Sequence, residues 1–184
     1  MNLANKLTIT RIVLIPLFMF FLLMSENYTA LYKVFALGVF ALAAITDGLD
    51  GYYARKYQAI TKFGKILDPL ADKLLIASAL IAFVAMEDIS AWVAIIIIGR
   101  ELAVTGLRVI AASEGIVIAA SKWGKWKTNL QIFAVIAVII HPEIFFLPFY
   151  LSDILIYLAV IVTVISGIDY FYKADIDFFK EEGS

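Results

Sequence analysis

Cysteine is absent from the 184 residues, and histidine occurs once, at His141. Without cysteine there is no disulfide framework, no thiolate metal site and no cysteine nucleophile, and the redox compartment cannot be read. His141 stands beside Pro142 with no second ligand type near it, and reads as an interfacial residue. Charge is also scarce, at 17% of residues, and no linker, low-complexity tract or internal repeat interrupts the chain. What fills the chain instead is hydrophobic: 63% of residues, with a mean hydropathy of +0.93. Those values exclude an ordinary water-soluble domain and imply a polytopic membrane protein of one domain, residues 1–184.

Apolar runs long enough to cross a bilayer as helices occur at about 7–24, 31–53, 68–87, 90–111, 128–147 and 151–173. Lys6 and Arg11 open the first run, which could pass for a secretory signal. LLMSENYTA offers a poor small-residue cleavage site, however, and further runs follow, so an uncleaved first span is expected. Backbone groups in lipid must satisfy one another, so the expected fold is all-α: a six-transmembrane-helix bundle with a polar cavity facing the cytoplasm. Thirteen of the fifteen lysines and arginines fall on the side that holds both termini and the loops near 54–67 and 112–127; Lys33 alone lies opposite, and Arg100 lies near the middle of a span. The basic side is therefore expected to be cytoplasmic, with both termini on it. The acidic tail ADIDFFKEEGS reads as a solvated end.

Against this background DGLDGYYARKYQAITKFGKILDPLAD, residues 47–72, holds four aspartates. At about 100° per residue, Asp47, Asp50, Gly51 and Ala54 share one face of a helix. Gly64, Asp68 and Asp72 step by four along the start of the next span, with Pro69 suited to a first helical turn. A polar loop folds the two helices back, so the stripes can face one another. Four ionised carboxylates at ~5 Å and an effective dielectric of ~20 would repel by roughly 3 kcal/mol per pair. Divalent cations are the simplest remedy, and all-oxygen ligation favours magnesium or manganese over zinc. Two such ions bridged by a shared carboxylate suit chemistry at phosphorus. Gly51, Ala54 and Gly64 leave space for a ligand to approach the backbone. The plainer alternative is a set of solvated charges paired with Arg55, Lys62, Lys65 and Lys73.

The stretch resembles, position for position, the signature of the CDP-alcohol phosphotransferases, D-x2-D-G-x2-A-R-x8-G-x3-D-x3-D, filled here by Asp47, Asp50, Gly51, Ala54, Arg55, Gly64, Asp68 and Asp72. Six spans in this length agree with that family's fold, so the resemblance covers essentially the whole chain. It implies a reaction in which an alcohol attacks the lipid-side phosphorus of a CDP-linked lipid and CMP leaves. It further implies that Asp47, Asp50 and Asp68 are metal ligands, and that Asp72 is the general base and also touches a metal. Gly51, Ala54 and Gly64 would border the cytidine, with Arg55 beside them in the signature. Two Mg2+ or Mn2+ ions and a homodimer in the bacterial cytoplasmic membrane complete the expectation. Membrane lipids are expected partners, and nucleic acid is not.

The acceptor is read from the rest of the chain. Arg100 and Glu101 lie near the middle of the fourth span, where a charge by default lines an internal cavity. Arg108 follows about 80° round the helix, and Ser121, Lys122, Lys125 and Lys127 precede the fifth span. A basic pocket built from Arg100, Arg108, Ser121, Lys125 and Lys127 suits an acceptor that carries its own phosphate. Lysines of this kind also follow from the positive-inside rule and attraction to anionic headgroups, and Arg100 with Glu101 could be a structural ion pair. NKLTITRIVLIPLF, GREL and KWGKWKTNLQ resemble the family branch whose donor is CDP-diacylglycerol and whose acceptor is sn-glycerol 3-phosphate. Asn5, Thr8 and Arg11 share one side of the first helix and are candidates for binding the nucleotide, with a helix-start role open for Asn5. Inositol phosphate is the rival acceptor. Two other classes fit less of the pattern: a membrane prenyltransferase, which has more spans and separated acidic clusters, and a divalent-cation carrier, which needs acidic residues deeper in the spans.

Overall fold

A computed structural model describes residues 3–25, 30–57, 62–113, 115, 122–140 and 151–181. Among these residues there are six α-helices: α1 Leu3–Ser25, α2 Ala30–Tyr57, α3 Lys62–Ala85, α4 Ala91–Ser113, α5 Lys122–Ile140 and α6 Leu151–Glu181. Their number and order are those expected from hydropathy, and no strand occurs among the described residues. The bounds differ in instructive ways. Helix α2 runs on to Tyr57 and α3 begins at Lys62, so residues 54–57 and 62–67 of the polar stretch read as a loop are helical. Consequently Pro69 sits two turns inside α3 rather than in its first turn, where its missing N–H leaves the Lys65 carbonyl without its usual helical donor. Lys122–Lys127, likewise read as a loop, form the first turns of α5. Hydropathy marks where a helix is oily and is blind to polar turns that extend it.

Helices α1 and α2 pack along each other most extensively, as do α5 and α6; α1 also lies on α3, and α4 on α6. Phe18 of α1 and Phe40 of α2 meet with ring centroids 5.5 Å apart, both fully buried. Ala36, Ala43, Ala79, Ala82, Ala134 and Ala159 are buried to within 1% and let the helix backbones approach closely. Between α3 and α4 the chain turns tightly. The Asp88 N–H donates to the Phe83 carbonyl and the Glu87 N–H to that of Val84, with Glu87 in the left-handed region at φ 60°. This double bond satisfies the last carbonyls of α3. Ser90 then caps α4, its Oγ accepting from the Trp92 N–H at 3.3 Å.

Many large apolar side chains face outward. Trp92 is 76% exposed, and Val13, Leu102 and Ile168 are each exposed by more than half. Water would not tolerate such a surface, whereas hydrocarbon would. Leu7–Ser25 and Leu151–Ala174 are long and apolar enough to cross a membrane, and Ala30–Thr46, Lys73–Ala85 and Trp126–Ile140 are shorter apolar helical stretches. The molecule is an all-helical protein suited to a membrane.

Candidate active site

The acidic signature falls on two consecutive helices. Asp47, Asp50, Gly51, Ala54 and Arg55 occupy the last third of α2, and Gly64, Asp68 and Asp72 the first half of α3. Because both segments are helical, the positions of Asp47, Asp50, Gly51 and Ala54 share one face, and those of Gly64, Asp68 and Asp72 share another. Helices α2 and α3 touch. The side chains at 47–69 and at Asp72 lie outside the described residues, and so does the convergence of the two stripes. As a donor set, four carboxylates on adjacent helices fit a hard divalent cation. Among the described residues no group of three or more His, Asp or Glu side chains comes together in a way that could hold a metal ion.

A second polar centre is formed by α4, α5 and α6, with Glu101 at its hub. Arg100 Nη1 donates to Glu101 Oε1 at 3.0 Å, and Lys127 Nζ, arriving from α5, donates to the same oxygen. Arg100 Nη2 donates to Ser166 Oγ of α6 at 2.6 Å. The Arg100 side chain can lie against α6 because residue 167 is glycine: a Cβ there would stand 3.2 Å from Arg100 Cγ. About two turns further along α4, Arg108 Nε donates to the Tyr170 hydroxyl at 2.5 Å, and its guanidinium carbon lies 4.8 Å from the ring centroid. On the other side Thr105 Oγ1 donates to the Glu101 carbonyl at 2.6 Å and receives Lys73 Nζ. Lys73 directly follows Asp72 in sequence, and through Thr105 it is bonded to the α4 backbone at Glu101.

The residues expected to bind an acceptor phosphate are thus distributed as follows. Arg100 and Lys127 meet through Glu101; Arg108 stands against Tyr170, exposed on its outer edge. Lys125 is in the first turn of α5 with its side chain outside the described residues, as Ser121 is entirely. Of the α1 candidates, Thr8 and Arg11 are buried to within 1%, and the Asn5 side chain lies outside the described residues. Sequence reasoning missed Ser166, Tyr170 and the Lys127–Glu101 pair. A signal for the first existed in the SG pair at 166–167, a polar step in the middle of an otherwise oily helix.

The profile of the CDP-alcohol phosphatidyltransferase family matches residues 1–165. The chain belongs to that family. It is 46% identical over 185 residues to the CDP-diacylglycerol–glycerol-3-phosphate 3-phosphatidyltransferase of Bacillus subtilis (strain 168), covering 94% of each chain. A probable phosphatidylglycerophosphate synthase of Mycobacterium tuberculosis (strain ATCC 25618 / H37Rv) is 41% identical over 178 residues, covering 94% of this chain and 81% of its own. The Haemophilus influenzae protein named as the same 3-phosphatidyltransferase is 38% identical over 183 residues, with 94% and 93% covered. Membership of the CDP-alcohol phosphatidyltransferase family makes this chain an enzyme of the phosphatidyltransferase type.

Proposed function

We propose that the protein transfers the phosphatidyl group of CDP-diacylglycerol to the primary hydroxyl of sn-glycerol 3-phosphate, giving phosphatidylglycerophosphate and CMP. The observation that carries this reading is the 46% identity, over nearly the whole of both chains, to a relative named for that transfer. Two local features support it: the complete eight-position signature on α2 and α3, and the arginines and lysine gathered round Glu101 on the next helices.

In this reading Asp47, Asp50, Asp68 and Asp72 hold Mg2+ or Mn2+, and the bound ions would neutralise the pyrophosphate and stabilise the leaving CMP. Gly51, Ala54 and Gly64 give the nucleotide access to the helix backbone, with Arg55, Asn5 and Thr8 at its border. Asp72 takes the proton from the acceptor hydroxyl, whose oxygen then attacks the lipid-side phosphorus as the bond to CMP breaks. Arg100, Arg108, Ser121, Lys125 and Lys127 receive the acceptor's own phosphate. All six helices span the bacterial cytoplasmic membrane, with both termini and the site on the cytoplasmic side, and two copies pair as a homodimer.

The test is an assay of purified protein with CDP-diacylglycerol and each phosphorylated alcohol in turn, following CMP and the lipid product. Release of CMP dependent on glycerol 3-phosphate and on a divalent cation is expected. Turnover with inositol phosphate in preference would reassign the acceptor, and undiminished turnover in excess chelator would remove the metal assignment.

A further inference from the structure

A cavity of about 220 Å³ lies between α3, α4 and α5. It is smaller than the roughly 300–1,000 Å³ of a site for a drug-sized molecule, which favours a slender ligand over one with rings. Its lining changes character along its length. Lys73, Glu101, Lys127 and Thr128 stand at one end, and Ile76, Ala77, Ile97 and Ile98 at the other. Helix α3 descends from Leu70 to Ala77 along this wall, a rise of about 10 Å. Helix α4 runs the opposite way, from Ile97 up to Leu102, so Ile76, Ala77, Ile97 and Ile98 lie deeper in the helices than Lys73 and Glu101, with Leu70 and Leu102 at the shallow end and Gln131 one turn beyond Lys127 on α5. The cavity also opens sideways: Leu70, Leu74 and Leu102 line it and are 49%, 42% and 64% exposed on the apolar outer surface.

A polar upper end, an oily lower end and a side opening toward lipid match one chain of a phospholipid hanging from its headgroup. The upper end lies at the same level of α3 as the acidic stripe, because Lys73, which follows Asp72, lines it and is bonded to Thr105. We infer that this cavity holds an acyl chain of the CDP-linked donor lipid, entering between α3 and α4, while the pyrophosphate reaches the α2–α3 site. The inference rests on the donor proposed above and adds where its tail is held. Ala77 sets the bore of the deep end: a larger side chain there would occupy the space of the chain.

Two measurements test it. In the first, purified protein is irradiated with CDP-diacylglycerol carrying a photoactivatable group in mid-chain, and the adducts are mapped by mass spectrometry. Adducts on 76–77 and 97–98 are expected; adducts confined to α1, α2 or the outer face of α6 would overturn the inference. In the second, Ala77→Phe is compared with the unsubstituted protein using long-chain and dibutanoyl donors. Losing the burial of about two methylenes is enough to raise the ratio of apparent KM values, long-chain over short-chain, by about tenfold. An unchanged ratio would overturn the inference while leaving the transfer reaction intact. Failure of the unsubstituted protein to release CMP from any CDP-diacylglycerol would remove the donor reading itself, and the inference with it.

Discussion

The acidic ends of α2 and α3 and the basic hub of α4, α5 and α6 are both clusters of charge in an oily protein, yet they are built in opposite ways. The first groups four carboxylates on two helix faces within residues 47–72, a stretch that also carries Arg55, Lys56, Lys62 and Lys65, and in the proposed reading those carboxylates hold cations from outside. The second bonds its charges to one another: Glu101 takes both Arg100 and Lys127, which leaves one positive charge in excess, and the Ser166 hydroxyl takes the other arm of Arg100. Carboxylates grouped on adjacent helix faces are what a cation site requires. Charges bonded between α4 and α5, with a hydroxyl from α6, are what a scaffold requires, and such a scaffold can also hold its excess cation ready for a ligand. Changes in the first region should therefore reduce turnover while leaving stability nearly untouched, and changes at the hub should reduce stability.

The largest effect is expected from Asp72→Asn. Loss of a general base costs about 10²–10⁴-fold in turnover, and the amide is nearly the same size, so folding should survive. Radiometric product formation should fall by that factor while binding of the CDP-linked donor remains measurable. Normal activity in this variant would remove the base assignment.

Next comes Glu101→Ala. The Glu101 and Lys127 side chains are 18% and 6% exposed, and removing one partner of such a buried pair costs about 3–5 kcal/mol because the remaining charge is left uncompensated. Thermal unfolding in detergent should show a large fall in midpoint. Glu101→Gln, which keeps an acceptor oxygen, should recover part of it. A variant as stable as the parent would show that Lys127 and Arg100 find other partners.

How much of this was legible beforehand differs between the two regions for a physical reason. The acidic stripes are local: three- and four-residue steps have meaning on any helix, so Asp47, Asp50, Asp68 and Asp72 could be grouped without knowing the fold. Six helices were legible as well, because each is oily along most of its length. The helix ends were not, since Lys62–Asp68 and Lys122–Lys127 are polar turns that hydropathy assigns to loops. The hub was legible only as a list of charges. Arg100 and Glu101 are neighbours in sequence, but Lys127 meets Glu101 from 26 residues away and Ser166 meets Arg100 from 66. Those pairings exist only once α4, α5 and α6 have packed, and no spacing rule encodes them.

Gly167→Ala sharpens the same contrast at a smaller scale. Its Cβ would come within 3.2 Å of Arg100 Cγ, and Arg100 is held by Glu101 and Ser166, so it has little room to retreat. Overpacking costs about 1–3 kcal/mol, and alanine returns about 0.8–1.0 kcal/mol of helix propensity. The net expectation is a loss of about 1 kcal/mol, read as a fall of a few degrees in the unfolding midpoint. Stabilisation would mean that Arg100 moves freely. For Arg108, on the exposed edge of the hub, substitution by alanine should instead raise the apparent KM for glycerol 3-phosphate by about tenfold, the scale of one charge-assisted hydrogen bond. A change in kcat alone would move Arg108 from acceptor binding to the chemical step.

The smallest effect is expected from Lys173→Ala. Lys173 Nζ donates to Asp169 Oδ2 at 2.8 Å, one turn earlier on α6, a bond of nearly the same length as that between Arg100 and Glu101. Length does not decide its worth; environment does. The lysine side chain is 47% exposed, so solvent screens the pair, and i,i+4 pairs of this kind contribute about 0.3–0.5 kcal/mol. The unfolding midpoint of Lys173→Ala should stay within about a degree or two of the parent, far above that of Glu101→Ala. If the two variants lost equal stability, burial would not be what separates the hub from the surface, and the hydrogen-bonded scaffold would have to be abandoned as the account of α4–α6.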